Sequence, residues 1–546
     1  MLTTLSQIIN EIEVNEKELF GEVIKFKIKG PAFFILVKDG KLEKTLNLPA
    51  KEKGSEESSL NKLVEEFYKR NILPSTTKGG KLSFCQKNAI KVITIKSWKE
   101  FLGKYSNRFS AKNLKTIKED YEKFLKDYEV EEENVKIYVI IIEKIVKRDK
   151  VLEEFVGLSD RKQKCIICDN TSNVIKNVNA IFDTVTGENR FFVQYHSDIS
   201  FNISICYNCA LKLLTKASLF SFSNKEIPQV AGGFRIKCFP YLVKEKGKIL
   251  KALEDFNKGE GFDEIIKNIE RSGIVEDPEY WFLDCYLFEK ESNKIDIKEF
   301  LESVKLKHLI DILKNFEEFK KEMKIKKLSL FDQKGILEAV LIKRKSLKKN
   351  KIEPTSQRLL HTLLRRIFLG QRLSDQENKL LIRNFNKKIR SLVYDYKDEE
   401  KTMEWEIRNL ILLYTFLGSK LSHLLDFTID LNISKRDNKN MEVKSAKDYL
   451  VFIGNVLRKI DDAMKQKDKK PLGIHFLGKE TLTLEDIKKI SGKISHRAVI
   501  YLEKERLPTF EPKENVWEKI EEELEDLEKK DMIKFYLTLG YFSEKI

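Results

Sequence analysis

Two short cysteine pairs, Cys165-Ile-Ile-Cys168 and Cys206-Tyr-Asn-Cys209, form the most specific feature of the 546-residue sequence. A C-x-x-C pair makes a tight knuckle with both sulfurs on one side, and two knuckles supply the four thiolates of a structural zinc site. The 37 residues between the pairs are more than common zinc ribbons have, and a β-hairpin insertion accounts for them. The spacing therefore predicts a closed Zn²⁺ site at Cys165, Cys168, Cys206 and Cys209, which leaves no position for a substrate and serves as a scaffold.

Other interpretations of the cysteines stay open at the level of sequence. His196 is a good metal ligand and could replace one sulfur. The four thiols could also be buried without a metal, or form a redox dithiol, although neither pair lies in a thioredoxin-like unit. The remaining cysteines, Cys85, Cys238 and Cys285, stand alone in the sequence, and we predict that each is a small buried apolar residue.

The sequence around the cysteines predicts a hairpin followed by a helix. Phe182–Val185 and Arg190–Tyr195 flank Thr186-Gly-Glu-Asn189, a typical turn segment. Cys206–Phe220 has the apolar spacing of a helix. We therefore assign residues 160–245 to a zinc-finger module with a hairpin insertion.

Residues 1–159, on the N-terminal side of this module, mix both hydrophobic periods and predict an α/β domain. Strands are predicted over Glu22–Lys29, Ala32–Lys38 and Val135–Val146, the last as a central strand. Helices are predicted over Ser59–Asn71, Ser97–Tyr105 and Ala111–Asp127.

The chain is almost entirely helical in pattern from about residue 250 to its end. Apolar residues recur at three- and four-residue spacing in Ile297–Met323, Leu359–Leu369, Ser374–Tyr396, Met403–Phe427 and Ala446–Met464. Ser374 and Thr483 are plausible helix caps. We divide this part into a basic helical region, 246–400, and a C-terminal helical bundle, 401–546. The predicted fold class is α+β, with a mixed N-terminal half that carries the four-cysteine module and an all-helical C-terminal half.

Positive charge is concentrated in one segment. The chain carries a net +16, and residues 301–400 contain 25 basic against 14 acidic residues, whereas residues 401–546 contain 27 against 26. A local basic field attracts a polyanion, either nucleic acid or an anionic membrane surface, although a solvated surface rich in lysine and glutamate is the alternative. We take the candidate nucleic-acid contacts here to be Lys343, Arg344, Lys345, Lys348, Lys349, Arg365, Arg366, Lys387 and Lys388.

The loop Thr76–Lys81 places adjacent glycines between lysines and threonines. It lacks the Gly-Lys-Ser/Thr ending and the spacing of a Walker loop, so it gives no support for hydrolysis of a nucleoside triphosphate. Its glycines permit close approach to a nucleic-acid backbone, and Lys78 and Lys81 are candidate contacts on chemical grounds. The alternative is a plain surface loop.

Several function classes receive no support from the sequence. The N-terminal segment lacks the basic start and apolar core of a signal peptide, and no stretch of about 18 uncharged apolar residues could cross a bilayer, so we expect a cytoplasmic protein without a membrane partner. The six histidines are scattered, and no G-x-S-x-G or Cys/His catalytic signature is present. We therefore expect a protein that is not an enzyme.

The cysteine spacing, the basic middle and the helical C-terminus together resemble the large subunit of the CRISPR type I-B interference complex, Cascade, in the branch of that subunit that carries a zinc finger. The layout covers nearly the whole chain, while the specific part is confined to about residues 165–215, where the second pair opens a helix as Cys206-Tyr-Asn-Cys209-Ala-Leu-Lys-Leu-Leu. Only the four cysteines can be carried over from the family, as zinc ligands.

The resemblance implies a non-catalytic role in RNA-guided recognition. In such complexes base pairing with the guide RNA reads the target, while protein reads a short duplex motif and the shape of the backbone. The large subunit lies at the 5′ handle of the guide (CRISPR) RNA, checks the motif beside the target in double-stranded DNA, and helps to open the duplex. The implied partners are this RNA, this DNA, the other Cascade subunits, and a helicase-nuclease for which the subunit is a platform.

Two alternatives from other classes remain. The first is a zinc-dependent nuclease or transposon-type DNA-processing enzyme, which predicts two or three carboxylates that converge on a divalent metal in the folded chain. The second is a free-standing zinc-ribbon protein that binds nucleic acid without partner subunits.

Overall fold

The fold is described from a computed structural model. The structure describes residues 2–28, 30–49, 59–75, 82–86, 89–175, 204–222, 227–243, 248–257, 261–273, 277–291, 294–346, 349–395, 399–425, 427–429, 443–467, 469–502 and 514–542. The chain divides into two compact units. The first comprises residues 1–226, 248–257 and 290–296, and the second comprises residues 227–247, 258–289 and 297–546.

The first unit combines a mixed sheet with helices and a separate hairpin. Its helices are α1 (Leu2–Ile8), α2 (Glu16–Lys27), α3 (Ser59–Lys69), α4 (Trp98–Tyr105), α5 (Ala111–Tyr128), α6 (Arg148–Val156), α7 (Tyr207–Thr215), α8 (Ala217–Phe220) and α9 (Ile249–Asp255). Its strands are β1 (Ala32–Lys38), β2 (Lys41–Leu48), β3 (Ile90–Ile95), β4 (Lys136–Ile142), β5 (Leu158–Lys164) and β6 (Thr171–Ile175).

The four-stranded sheet of this unit has the order β2-β1-β4-β3. Strand β1 pairs with β4 in parallel and with β2 in an antiparallel hairpin, and β3 pairs antiparallel with β4. Six of the seven residues of β1 are buried, which is the pattern of a strand covered on both faces. The prediction that β4 is a central strand is confirmed, because β4 lies inside the sheet.

The prediction of a strand over Glu22–Lys29 is wrong, because most of this segment belongs to helix α2. The residues 24–29 alternate between apolar and basic, which suggested a strand. The helix is favoured instead by Leu19, Phe20, Val23 and Ile24, which are buried and share one helical face. Its start is fixed by Asn15, whose side-chain oxygen accepts hydrogen bonds from the backbone N–H groups of residues 17 and 18.

The second unit contains a three-stranded sheet, a short hairpin and ten α-helices within its described residues. The strands are β7 (Arg235–Leu242), β8 (Trp281–Glu291), β9 (Lys294–Lys305), β10 (Lys343–Ser346) and β11 (Lys349–Ile352). The helices are α10 (Phe262–Arg271), α11 (Leu306–Glu322), α12 (Pro354–Leu369), α13 (Asp375–Asp395), α14 (Glu400–Lys420), α15 (Ala446–Lys465), α16 (Leu472–Leu477), α17 (Leu484–Tyr501), α18 (Glu514–Lys529) and α19 (Ile533–Phe542).

The sheet of order β7-β8-β9 corrects the expectation of an almost wholly helical chain beyond residue 250. The predicted helix Ile297–Met323 is strand over its first nine residues and helix from Leu306. Apolar residues at three-residue spacing fit either structure in a short segment, and here pairing with β8 decides. Further along, the helical pattern predicts α12 to α15 correctly. Ser374 accepts a hydrogen bond from the backbone N–H of residue 377, and Thr483 forms a capping box, so both predicted caps are confirmed.

Helix α19 is the centre of the C-terminal bundle, because all ten of its residues are buried. It packs closely against α15 through two glycines. A methyl group on Gly540 would clash with the carbonyl oxygen of Val451, and one on Gly454 would clash with the carbonyl oxygen of Leu537. The bundle therefore depends on backbone-to-backbone approach that only glycine permits at these positions.

Candidate metal centre

The first cysteine pair lies in the turn between β5 and β6. The backbone N–H of Cys165 donates to the carbonyl of Asn170 at 2.9 Å, and the N–H of Asp169 donates to the carbonyl of Cys165 at 2.9 Å. Asp169 adopts φ of 61°, in the left-handed region, and closes the turn. These bonds make a knuckle at the tip of the hairpin and hold Cys165 and Cys168 on it.

The second pair lies where a short extended segment meets helix α7. Residues 204–206 run beside the hairpin: the N–H of Ile166 donates to the carbonyl of Ser204, and the N–H of Ile175 donates to that of Ile205, both at 2.9 Å. Cys206 is the N-cap of α7, and its sulfur accepts a hydrogen bond from the N–H of Cys209 at 3.5 Å. The hairpin and the helix start therefore bring the two pairs together across 37 residues of chain.

The four sulfurs lie within 4.8 Å of one another, and the Sγ atoms of Cys168 and Cys206 are 3.7 Å apart. Cys165, Cys206 and Cys209 are buried, and Cys168 is half-buried. Four thiols at this spacing could hold a metal ion. In the part of the chain that the structure describes, this is the one such group of three or more His, Cys, Asp or Glu side chains. His196, the alternative ligand, lies outside the described residues, as does the predicted hairpin around Thr186–Asn189.

The contacts among the thiols shift their pKa values in opposite directions. A hydrogen bond from the Cys209 thiol is the largest influence on Cys165 and lowers its pKa to about 4. The same hydrogen bond raises the pKa of Cys209, and burial raises the pKa of Cys206. Four crowded thiols cannot all ionise together without a compensating cation, whereas thiolates bound to a metal stay deprotonated. A cation would therefore be needed for all four sulfurs to be thiolates at once.

The basic side chains named from the sequence are mostly engaged in ion pairs. Among those that the structure describes, each has a carboxylate within 4 Å. The pairs are Lys343 with Glu338 (3.8 Å), Arg365 with Glu299 (3.4 Å), Arg366 with Glu377 (3.1 Å), Lys387 with Glu353, and Lys388 with Glu406 (3.0 Å). Lys78, Lys81 and Lys348 lie outside the described residues, and for Arg344, Lys345 and Lys349 only the strand that carries them is described.

Lys388 is a correction to the candidate surface. It is buried, with only 3% of its area exposed, and its ammonium contacts Glu406. Burial lowers its pKa, against the opposing effect of that carboxylate. A phosphate cannot reach this side chain in the folded chain, so Lys388 is removed from the predicted contacts. Its neighbour Lys387 stays, because 44% of its side chain is exposed.

Two of the three remaining cysteines are buried. Cys238 and Cys285 are buried as predicted, whereas Cys85 is half-buried. Isolation in sequence did not mean isolation in space, because Cys238 and Cys285 lie opposite each other on β7 and β8, with their sulfurs 3.0 Å apart. These two thiols pack as small apolar side chains in the interior.

One group of residues in the second unit was not predicted from runs of basic residues in the sequence. Trp405, Arg408 and Asn409 share one face of α14, and Lys327 and Lys334 from the loop after α11 lie beside them around a cavity of about 350 Å³. These cations are separated in the sequence, so no run of charge marks them. The available signal was the spacing of Trp405 and Arg408, one turn apart in a helix that the pattern predicts.

Within the described ranges, every helix is too short or too polar to serve as a membrane span. A comparison with known protein families and with curated proteins finds no match to this chain.

Proposed function

We propose that this chain is a non-catalytic, zinc-braced large subunit of an RNA-guided DNA surveillance complex of the CRISPR type I-B kind. In this role it binds the 5′ handle of the guide RNA and the target DNA beside the protospacer, and it offers a platform to a helicase-nuclease. The observation that carries the proposal is the four-sulfur cluster, formed by two widely split C-x-x-C pairs in a chain with a mixed first half and a mainly helical second half.

Geometry supports Zn²⁺ as the ion. Sulfurs about 2.3 Å from a central zinc define a tetrahedron with edges of about 3.8 Å. The Cys168–Cys206 separation of 3.7 Å fits such an edge. A tetrahedral set of four thiolates suits zinc or iron, and a site closed by four protein ligands has no open position for a reacting water. The proposed ion therefore stabilises the first unit and performs no chemistry.

The basic segment supports a polyanion partner even though its side chains are paired. Arg365 is 54% exposed, and Lys343 is 41% exposed. Exposed ion pairs contribute about 0–1 kcal/mol, so a phosphate can replace a carboxylate at little cost. The excess of basic over acidic residues in 301–400 then provides attraction that does not depend on base sequence.

The test is purification of the tagged full-length chain from the cells that encode it, followed by analysis of bound RNA, proteins and metal. We expect RNA of uniform length, several partner proteins and one zinc per chain. The absence of RNA would overturn the proposal. The same preparation separates the alternatives: cleavage of DNA by the purified chain alone would indicate the enzyme, and tight binding of nucleic acid with no partner proteins would indicate the free-standing protein.

The matched control is the double variant Cys206→Ser/Cys209→Ser beside Cys85→Ser. Cys85 is a half-buried thiol that does not belong to the four-sulfur group. We expect zinc to be lost in the double variant and kept in the single one. Iron in place of zinc would show as strong visible absorption and would overturn the assignment of the ion.

A further inference from the structure

The cavity beside Trp405 differs from the rest of the basic segment in its lining. Helix α14 presents Trp405, Arg408, Asn409 and Leu412 along one face, and Ile325, Lys327, Leu328, Ser329 and Lys334 complete the wall. Three of these nine residues are cations, and none is acidic. The volume of about 350 Å³ is in the range of sites for small organic groups.

Trp405 is unusual for so large a side chain, because 55% of its area is exposed. The neighbouring residues on either side of it along the helix are occupied elsewhere: Glu404 pairs with Arg458, and Glu406 pairs with Lys388. With more than half of its area exposed, the Trp405 side chain is open to solvent where it lines the cavity. An exposed aromatic face of this kind is a stacking platform for a nucleobase.

The cations around Trp405 also differ from those in the charge runs. Lys327, Lys334 and Arg408 have no ion pair with any carboxylate within the described ranges, whereas Lys343, Arg365, Arg366 and Lys387 are all paired. Arg408 is half-buried where it lines the cavity, and within the described residues its buried Nε atom has no hydrogen-bond partner. An anionic group in the cavity can pair with the accessible part of this guanidinium.

A second cavity, which lies in the first unit, serves as a comparison because lysines line it as well. It measures about 430 Å³ and is lined in part by Lys44, Lys69, Glu65 and Glu66. Two of its three lysines pair with these carboxylates, because Lys44 contacts Glu66 at 2.7 Å and Lys69 contacts Glu65 at 3.1 Å, while Lys62 has no ion pair within the described residues. None of its described lining residues is aromatic. Size and lysine content alone therefore do not distinguish the Trp405 cavity, but a lining without carboxylates and the exposed indole do.

We propose that the Trp405 cavity binds one unpaired nucleotide unit of a single-stranded nucleic acid. The base stacks on Trp405, and the adjoining phosphates contact Arg408, Lys327 and Lys334. Asn409 and Ser329 can hydrogen-bond to base edges, but stacking and charge dominate, so the site tolerates many sequences. A base inside a duplex is already stacked on its neighbours, so the site favours single strands. This inference rests on the proposed function and names the form of nucleic acid that this part of the chain takes.

The stacking contact is tested with Trp405→Leu, which keeps an apolar side chain but removes the π face, and with Trp405→Phe, which keeps a ring. The matched control is Tyr394→Leu, because among the described side chains Tyr394 is the other strongly exposed aromatic, at 59%. Binding of labelled oligothymidylate and oligouridylate to the full-length chain is measured by fluorescence anisotropy. We expect Trp405→Leu to bind roughly 5- to 150-fold more weakly, Trp405→Phe to keep most of the affinity, and Tyr394→Leu to match the wild type.

An abasic oligonucleotide of the same length isolates the base. It should bind wild type and Trp405→Leu with equal affinity, since the stacking partner is absent in both complexes. Arg408→Gln should lower the slope of log affinity against log salt by about one, and Arg408→Lys should keep it. The DNA and RNA probes distinguish which strand the site prefers, and thermal unfolding of each variant checks that the fold is intact.

The outcomes separate this inference from the proposed function. If the wild type binds neither single strand, the inference is wrong, while the proposed function is decided separately by the RNA, proteins and metal that co-purify with the chain. If the wild type binds and Trp405→Leu equals Tyr394→Leu, the pocket is wrong and the function stands. If duplex DNA, or an acidic peptide of matched charge, lost affinity in Trp405→Leu as much as the single strands do, the assignment of a single-stranded nucleotide would be overturned.

Discussion

The four-cysteine cluster and the basic segment 301–400 both stood out in the sequence, yet the structure treats them differently. The cysteines come together within 4.8 Å. The described cations of the charge runs are instead distributed over ion pairs, and one of them, Lys388, is buried. Metal ligation needs a fixed spacing in the chain, so spacing carries geometric information. A count of charges carries no such information, because any carboxylate nearby in space can neutralise a cation.

The largest effect should come from breaking the sulfur cluster. Replacing Cys206 and Cys209 by Ser removes two ligands, and we expect loss of the bound metal together with destabilisation of the first unit by several kcal/mol, since metal binding is coupled to folding. Metal content by atomic emission and thermal unfolding measure the two results. Cys85→Ser should keep both. A double variant with unchanged unfolding, beside a wild type without metal, would contradict the claim.

The second prediction compares two neighbouring lysines of the basic segment that differ in burial. Lys388 is buried and pairs with Glu406, whose side chain is 21% exposed, so Lys388→Ala removes a buried cation and its ion pair and should lower the free energy of unfolding by about 3–5 kcal/mol. Lys387 is itself half-exposed, although its partner Glu353 is only 12% exposed, so Lys387→Ala should cost less, about 1–3 kcal/mol. Urea denaturation of both variants measures the difference, and equal losses would show that burial does not separate the two.

The third prediction concerns the outer charges of the segment. Reversing Lys343, Arg344, Lys348 and Lys349 to Glu should weaken binding of DNA by roughly 10- to 100-fold at low salt, equally for all sequences, and flatten the dependence on salt. Filter binding at several salt concentrations measures both quantities.

A matched reversal tests whether position matters more than net charge. The control changes four exposed lysines of α5 to Glu, namely Lys112, Lys115, Lys118 and Lys123. It alters the net charge by the same amount, outside the basic segment. If both reversals weaken binding equally, the local field of residues 301–400 is not the cause.

Sequence predicted the parts of the molecule in which local pattern and tertiary contact agree. The cysteine spacing predicted the cluster, the strand pattern of Val135–Val146 predicted β4, helical spacing with a capping residue predicted α13, and the cap Thr483 predicted the start of α17. The failures lie where two patterns competed. The alternating pattern after Glu22 predicted a strand, but the buried apolar face of α2 makes this segment helical. The helical spacing after Ile297 predicted a helix, but pairing with β8 makes this segment a strand.

The Trp405 cavity could not be predicted for a different reason. Its walls come from a loop and a helix that are about 70 residues apart in the sequence, and no local pattern encodes which cations lack a carboxylate neighbour. The same limit applies to Cys238 and Cys285, whose proximity follows from the register of β7 and β8. Spacing in sequence predicts contacts within a motif, whereas contacts across the fold depend on the packing.

The smallest expected effect concerns a buried lysine of the C-terminal bundle. It tests whether a lysine that counts as one positive charge in the sequence is charged in the folded chain. Lys534 on α19 is buried, and burial is the main influence that lowers its pKa to about 7, with Arg390 adding to the effect. Its ammonium nitrogen lies 2.8 Å from the carbonyl of Asn386 and 2.6 Å from that of Lys479. At pH 8 this lysine is therefore largely neutral in the folded chain but protonated in the unfolded chain.

The unfolded state then binds more protons than the folded state between about pH 7 and pH 10, so the free energy of unfolding rises with pH in this window. The contribution is at most about 1.4 kcal/mol per pH unit. Lys534→Met should remove that slope, whatever it does to stability at one pH, while Lys529→Met, on an exposed position of α18, should keep it. Urea denaturation across this pH range compares the three proteins. Parallel curves for wild type and Lys534→Met would show that the buried lysine keeps its charge, and that counting charges from the sequence is correct even in the interior of the bundle.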